Sequence, residues 1–349
     1  MKNQKILSGI PKVYYGGLGC TPFPLCLQAC AAYLDIPVNY TQAMVESGAA
    51  FRFVWDTSCW NGGNVDVLLG FDNPVKVFEC GLRSIGCGFK MLGRTKEATK
   101  SEFVDFIRSE IDSGYPVIAL GIIGPGEACV VAGYRDNGET LLGWNVFQEY
   151  PEYQSSVRFA DNGYFITSDW WDNPGTRGLF ATSRRTAQPF VPIEILRNAA
   201  EALTGRMDGS YAKGLYAYDA WKDALLCERD FPESILLPAL VERMMCHGDA
   251  MDCLLDGRGH AMLYLRELAQ SYPAQALKLT AAAGEFECVK NIIWNEMIPV
   301  LGSCARGEHE MLQLAKQETR TYFAGLIDQM KAHDQTALKL IHELIREFS

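Results

Sequence analysis

The pattern of apolar residues changes character once along this chain, near Pro192, and that change restricts it to folds with two dissimilar parts. Before it, short apolar runs are separated by glycine-rich turns. After it, the stretches 193–203, 212–226, 232–246, 259–271, 273–297 and 308–348 carry helical periodicity and strand signals disappear. A length of 349 residues suits two domains. The expectation is an α+β domain over 1–188 followed by an all-α helical domain over 189–349, joined through Arg184–Pro189.

Within the first part, Thr21-Pro22 opens a helix that runs toward Tyr33-Leu34, with Thr21 as N-cap and proline at the first helical position. A second amphipathic helix over 101–111 takes Ser101 as its cap. Gly114 ends it. Strands follow over 115–123, 127–134, 140–147, 163–167 and 178–182, and Asp136-Asn137-Gly138 has the residues of a hairpin turn. Strands joined by tight turns predict an antiparallel sheet.

Charge narrows the partners. The chain has 32 Lys and Arg against 42 Asp and Glu, a formal charge of −10, and no cluster of basic residues. Phosphate backbones and anionic membranes repel such a chain, so nucleic acid and membrane are excluded as expected partners. No run of about 18 apolar residues is present. The first eleven residues are too short and broken for a secretory segment, and twelve cysteines then read as reduced thiols of a cytoplasmic protein. Cys26 and Cys30, at i and i+4 of a helix, suit a core. All five histidines lie beyond residue 246, so chemistry in the first part proceeds without an imidazole of its own.

Cys20 is the candidate nucleophile. It follows the loop Gly16-Gly17-Leu18-Gly19 and precedes the first helix, where unpaired N–H groups favour thiolate and could hold an oxyanion. The alternative is a small buried residue after a plain loop. The order of segments is informative. After Cys20 and its helix come Pro116-Val117-Ile118, then Glu127-Ala128-Cys129-Val130-Val131-Ala132-Gly133-Tyr134, then Gly143-Trp144-Asn145. Over about residues 12–185 this resembles the papain-like cysteine-peptidase superfamily, nearest to the bacteriocin-leader peptidases and the butirosin-biosynthesis acyltransferases. The resemblance implies a papain-like domain, with Cys20 as nucleophile, Asn145 as the residue that orients the base, and an acyl or amide group as substrate.

Glu127 stands where that family carries its histidine, and Tyr14 and Tyr15 stand near the place of its oxyanion-hole glutamine. A carboxylate has an ordinary pKa of about 4.3 and shuttles protons poorly at neutral pH unless burial raises it. Facing Cys20, it would also oppose thiolate formation. Three readings stay open: an atypical Cys20–Glu127–Asn145 hydrolase or acyltransferase site; a histidine supplied by the helical domain, with His260 projected by the glycine-rich turn 256–260; and a catalytically inactive cleft that binds a small molecule or peptide.

Trp55, Asp56 and Trp60, in an aromatic and glycine-rich stretch, together with Tyr15, Trp144 and Trp170, are candidate substrate-binding residues; core packing is the alternative for the tryptophans. Cys246, His247, Cys253 and His260 lack the spacing of a metal knuckle, and Gly121–Gly126 joins two strands rather than a strand and a helix. No metal and no cofactor is expected. Residues 214–221 and 258–268 offer either a lid over the cleft or a face for a homodimer.

Overall fold

The computed structural model describes residues 3–17, 19–302 and 307–349. In chain order its regular elements are β1 (Lys5–Ile6), α1 (Pro22–Tyr33), α2 (Tyr40–Glu46), β2 (Val54–Asp56), α3 (Lys76–Ser84), β3 (Met91–Gly93) and α4 (Lys100–Asp112). Next come β4 (Val117–Leu120), β5 (Ala128–Arg135), β6 (Thr140–Trp144), β7 (Arg158–Phe159), β8 (Phe165–Thr167) and β9 (Gly178–Ala181). The remainder is α5 (Pro192–Thr204), β10 (Met207–Asp208), β11 (Tyr211–Lys213), α6 (Leu215–Leu226), α7 (Leu237–Ser271), α8 (Ala276–Ile292), α9 (Ile298–Leu301), α10 (Glu308–Ala315) and α11 (Gln317–Phe348). A mixed α/β region therefore precedes an all-α bundle, α7–α11.

The chain divides into two compact units, one of Met1–Ala43 with Phe78–Pro189, the other of Met44–Val77 with Phe190–Ser349. Residues 44–77, which the sequence reading kept with the first domain, group with the C-terminal helices.

The first unit is built on an eight-stranded sheet, ordered β3-β9-β4-β5-β6-β8-β7 with β1 added to β5, and every pairing is antiparallel. The hairpin between β5 and β6 turns at Asp136, Asn137 and Gly138, with φ of 52°, 56° and 103°. These left-handed angles are the reason for that residue choice. α1 packs against β5. Its first six residues are buried, as are Ala29, Cys30 and Ala31, so packing rather than capping holds it; Thr21 makes no side-chain cap. In α4 the cap is Thr99, not the expected Ser101. The Thr99 hydroxyl accepts from the Glu102 N–H, and the Glu102 carboxylate accepts from the Thr99 N–H at 2.8 Å.

In the second unit the expectation of a strand-free region after residue 192 fails. β10 and β11 form a hairpin, and β11 pairs antiparallel with β2, Ala212 opposite Trp55. The partner strand lies more than 150 residues away, so local periodicity could not report it. The expected glycine-rich turn at 256–260 is also absent, because α7 runs unbroken through it. Gly257 instead permits close packing: a Cβ there would fall 2.5 Å from the Ala50 carbonyl oxygen. The core of this unit gathers Trp55, Tyr218, Trp221, Leu254, Ile293 and Phe323, among others.

A fully buried ion pair ties the helices. The Arg258 guanidinium donates to Asp334 at 2.6 and 3.0 Å and to the Ala50 carbonyl at 2.7 Å, while Tyr218 Oη donates to Asp334 at 2.8 Å. Burial works against the guanidinium charge, and Asp334 more than restores it. Among the described residues no helix is long and apolar enough to cross a membrane.

Candidate functional site

Antiparallel pairing brings the end of β4, the start of β5 and the end of β6 to one end of the first sheet. Leu120 is opposite Ala128, and Val130 is opposite Trp144. Glu127 is therefore presented just before β5, and Asn145 just after β6. Between β4 and β5 the chain makes the tight loop Gly121–Glu127. Gly121 and Gly124 take φ of 89° and 69° there, and so does Ile122, at 69°. A β-branched side chain in the left-handed region costs about 1–3 kcal/mol and persists only where the surroundings fix it.

Those surroundings are identifiable. Asn145 Nδ2 donates to the Gly121 carbonyl at 3.0 Å and to the Ile123 carbonyl at 3.2 Å, and its Oδ1 accepts from the Phe147 N–H at 2.8 Å. The Ile122 N–H donates to Thr176 Oγ1, the Gly121 N–H to the Glu127 carbonyl at 2.8 Å, and Asn173 Nδ2 to the Gly124 carbonyl at 3.0 Å. Asn145 is thus a brace. Its amide grips the strained loop that leads to Glu127 rather than extending toward a base.

Cys20 is half-buried ahead of α1. The loop before it is closed by a bridge between Gly16 and Gly19; Leu18 of that loop lies outside the described residues. The Thr21 N–H donates to Tyr40 Oη at 3.1 Å. Of the first three helical positions, Pro22 and Pro24 carry no N–H, so only Phe23 could offer one to an oxyanion.

Farther along α1, Cys26 is fully buried. Its thiol is pushed well up by burial, by Cys129 and Cys30, and by the Glu127 carboxylate. By geometry, α1 packs against β5, the strand that Glu127 immediately precedes. Which strand α1 meets was missed in the sequence because a buried helical cysteine reads only as core. Burial likewise pushes Cys129 up to about 12. Among the described residues no disulfide joins the cysteines, and no group of three or more His, Cys, Asp or Glu is placed to hold a metal ion.

Tyr15 meets Phe147 edge to face at 6.0 Å, which joins the loop before Cys20 to the segment after Asn145. The other aromatic candidates differ in environment. Trp144 is buried with its indole N–H donated to the Ile10 carbonyl at 2.9 Å, and buried Trp170 donates to the Glu139 carbonyl at 3.0 Å. Packing and these bonds account for both.

Trp55, Asp56 and Trp60 belong to the second unit. Trp55 stacks on Trp221 at 6.2 Å in its core, and Trp60 donates to Asp230 at 3.1 Å. Asp56 ends β2. Although burial pushes its carboxyl up, hydrogen bonds from Ser58, Asn61 and Ser210 hold it down to about 2. His260 faces Asp256 at 3.4 Å along α7.

The structure thus brings the sequence-derived residues Cys20, Glu127, Asn145 and Tyr15 into one unit, with Trp55, Asp56 and Trp60 in the other. No family model matches this chain, and no curated protein is significantly similar to it.

Proposed function

We propose that the first unit is a papain-like domain whose cleft handles an acyl or amide group of a peptide or small molecule, as an atypical cysteine hydrolase or acyltransferase. Cys20 is the nucleophile and Glu127 the proton acceptor. Asn145 acts through the loop it braces rather than as an orienter of a base. One observation carries the reading: half-buried Cys20 precedes α1, α1 packs against β5, Glu127 and Asn145 stand where β5 begins and β6 ends, and Tyr15 of the loop before Cys20 meets Phe147 just after Asn145. A rigid loop under backbone strain suits a group that must be held for proton transfer.

Two observations favour a second reading, a non-catalytic binding cleft. Pro22 and Pro24 remove two of the N–H groups that would hold an oxyanion, and Asn145 spends its amide on main-chain carbonyls.

Alkylation with iodoacetamide at pH 7, resolved by cysteine, separates them. Exposed Cys59 is the internal reference. An activated Cys20 reacts at least about tenfold faster than Cys59, and Glu127→Gln changes that rate. If Cys20 labels no faster than Cys59 and Glu127→Gln changes nothing, the binding reading stands.

A further inference from the structure

The first sheet ends at β3, whose sole strand partner among the described residues is β9. The ladder fixes which main-chain groups face outward. The Ala181 N–H donates to the Lys90 carbonyl at 3.1 Å, and the Arg94 N–H donates to the Arg177 carbonyl at 2.8 Å. Lys90, Leu92 and Arg94 therefore face β9, and the alternate residues, Met91 and Gly93, turn their N–H and C=O groups away from it. Both are half-buried, and no other strand among the described residues takes up those groups.

Around this edge the fold gathers cations that lie apart in the sequence. Lys90, Arg184 and Arg185 stand near the start of β3, and Arg94 and Lys96 lie just beyond its end. Arg184 donates to the Phe89 carbonyl at 3.4 Å, and the Arg185 guanidinium lies over Gly86. Arg94 sits on the Trp171 ring at 4.0 Å. Residues 86–96 and 178–187 contain no Asp or Glu. Among the described residues, Glu110 is the one carboxylate that pairs with any of the five, at 3.2 Å from Lys90. An acidic chain thus keeps a basic patch at an open strand edge.

Charge and backbone together select the occupant. Cations on a short edge keep two copies of it apart, so a second copy is not the occupant. A nucleic acid would meet the cations and leave the outward groups of Met91 and Gly93 without a ladder. An extended acidic peptide meets both demands, because its main chain continues the sheet and its carboxylates face the arginines. We propose that the β3 edge docks an extended acidic segment of a partner protein, which joins the sheet as a further strand. The surface is independent of the Cys20 and Glu127 reading.

The test titrates the full-length protein with a fluorescent, end-blocked heptapeptide of alternating Glu and Thr, read by anisotropy at pH 7 and low salt. A Kd of roughly 50 µM is expected, with the Lys-and-Thr peptide at least about tenfold weaker. Arg184→Glu with Arg185→Glu is expected to weaken binding about tenfold. Both side chains are exposed, so this variant keeps the fold. Gly93→Pro removes one outward N–H and should weaken binding at least about fivefold; its added Cβ meets only Met91 Cε, at 3.6 Å. Hydrogen exchange at the Met91 and Gly93 amides should slow at least about tenfold in the complex.

No binding by the wild type, equal binding of the Lys-and-Thr peptide, or unchanged binding by the double arginine variant would overturn the docking edge. Peptide binding without slowed exchange at Met91 and Gly93 would reduce it to charge attraction and overturn strand addition. Decathymidylate binding as tightly as the peptide would assign the patch to nucleic acid instead.

Discussion

The two units treat their polar groups in opposite ways. In the second, Arg258, Asp334 and Tyr218 are sealed in the core, each hydrogen-bonded to another of the three. In the first, Asn145 holds a loop in left-handed backbone beside half-exposed aromatic rings. A sealed, satisfied network specifies how helices pack and leaves nothing for a ligand. Strain held next to open surface has no such structural return, and it marks the place where chemistry or recognition is expected. Charge follows the same division. The first unit has 14 Lys and Arg against 15 Asp and Glu, and the second has 18 against 27, so the second carries nearly all the acidity.

The largest effect should come from breaking the sealed network. Asp334→Ala leaves Arg258 charged and buried, which costs about 3–5 kcal/mol. Thermal unfolding should report that loss, while the labelling rate of Cys20 in the folded protein stays unchanged. A change in that rate would break the comparison.

Next is Asn145→Ala, which takes an amide donor from two carbonyls, leaving Gly121 only the weak Cys129 thiol, at a cost of about 2–4 kcal/mol. Unlike Asp334→Ala, it should also alter Cys20 labelling, because the loop it frees leads to Glu127. An effect on stability alone would make Asn145 an ordinary structural residue.

Asp56 gives a smaller, pH-dependent effect. Its folded-state pKa of about 2 lies below the ordinary carboxylate value, so its contribution is complete above about pH 5 and is lost as pH falls through the folded value. Denaturant titrations should show wild type exceeding Asp56→Asn by about 1–2 kcal/mol at pH 6, with the gap closing toward pH 2. A gap that does not depend on pH would refute the ionised role. Smallest is Tyr218→Phe, which removes one hydrogen bond to Asp334 and should cost about 1 kcal/mol by the same measurement.

Much of the fold was legible because its determinants are local. The helical stretch after Pro192, the strands flanking Asp136-Asn137-Gly138 and the burial of Cys26 and Cys30 follow from spacing and turn chemistry. Errors arose where a distant partner decided. Two glycines near residue 258 read as a turn, yet α7 continues because Gly257 lets it lie against the Ala50 main chain. Residues 212–226 read as one helical stretch, yet Ala212 and Lys213 pair with Trp55 and Val54. Ser101 looked like a cap, but the reciprocal bonds formed between Thr99 and Glu102.

At the candidate site the same boundary holds. The sequence by itself determined that Cys20 precedes a helix, that Glu127 and Asn145 belong with two successive strands, and that no histidine lies among the first 246 residues; the structure moved both residues just outside those strands. Only the tertiary structure decided that Asn145 grips the loop leading to Glu127, that α1 packs against the strand after Glu127, and that Phe147 gathers three tyrosines. Periodicity records which face of an element is apolar. Which atoms a side chain meets depends on segments far along the chain, and a bond such as that from Asn145 to Gly121 leaves no trace in either local pattern.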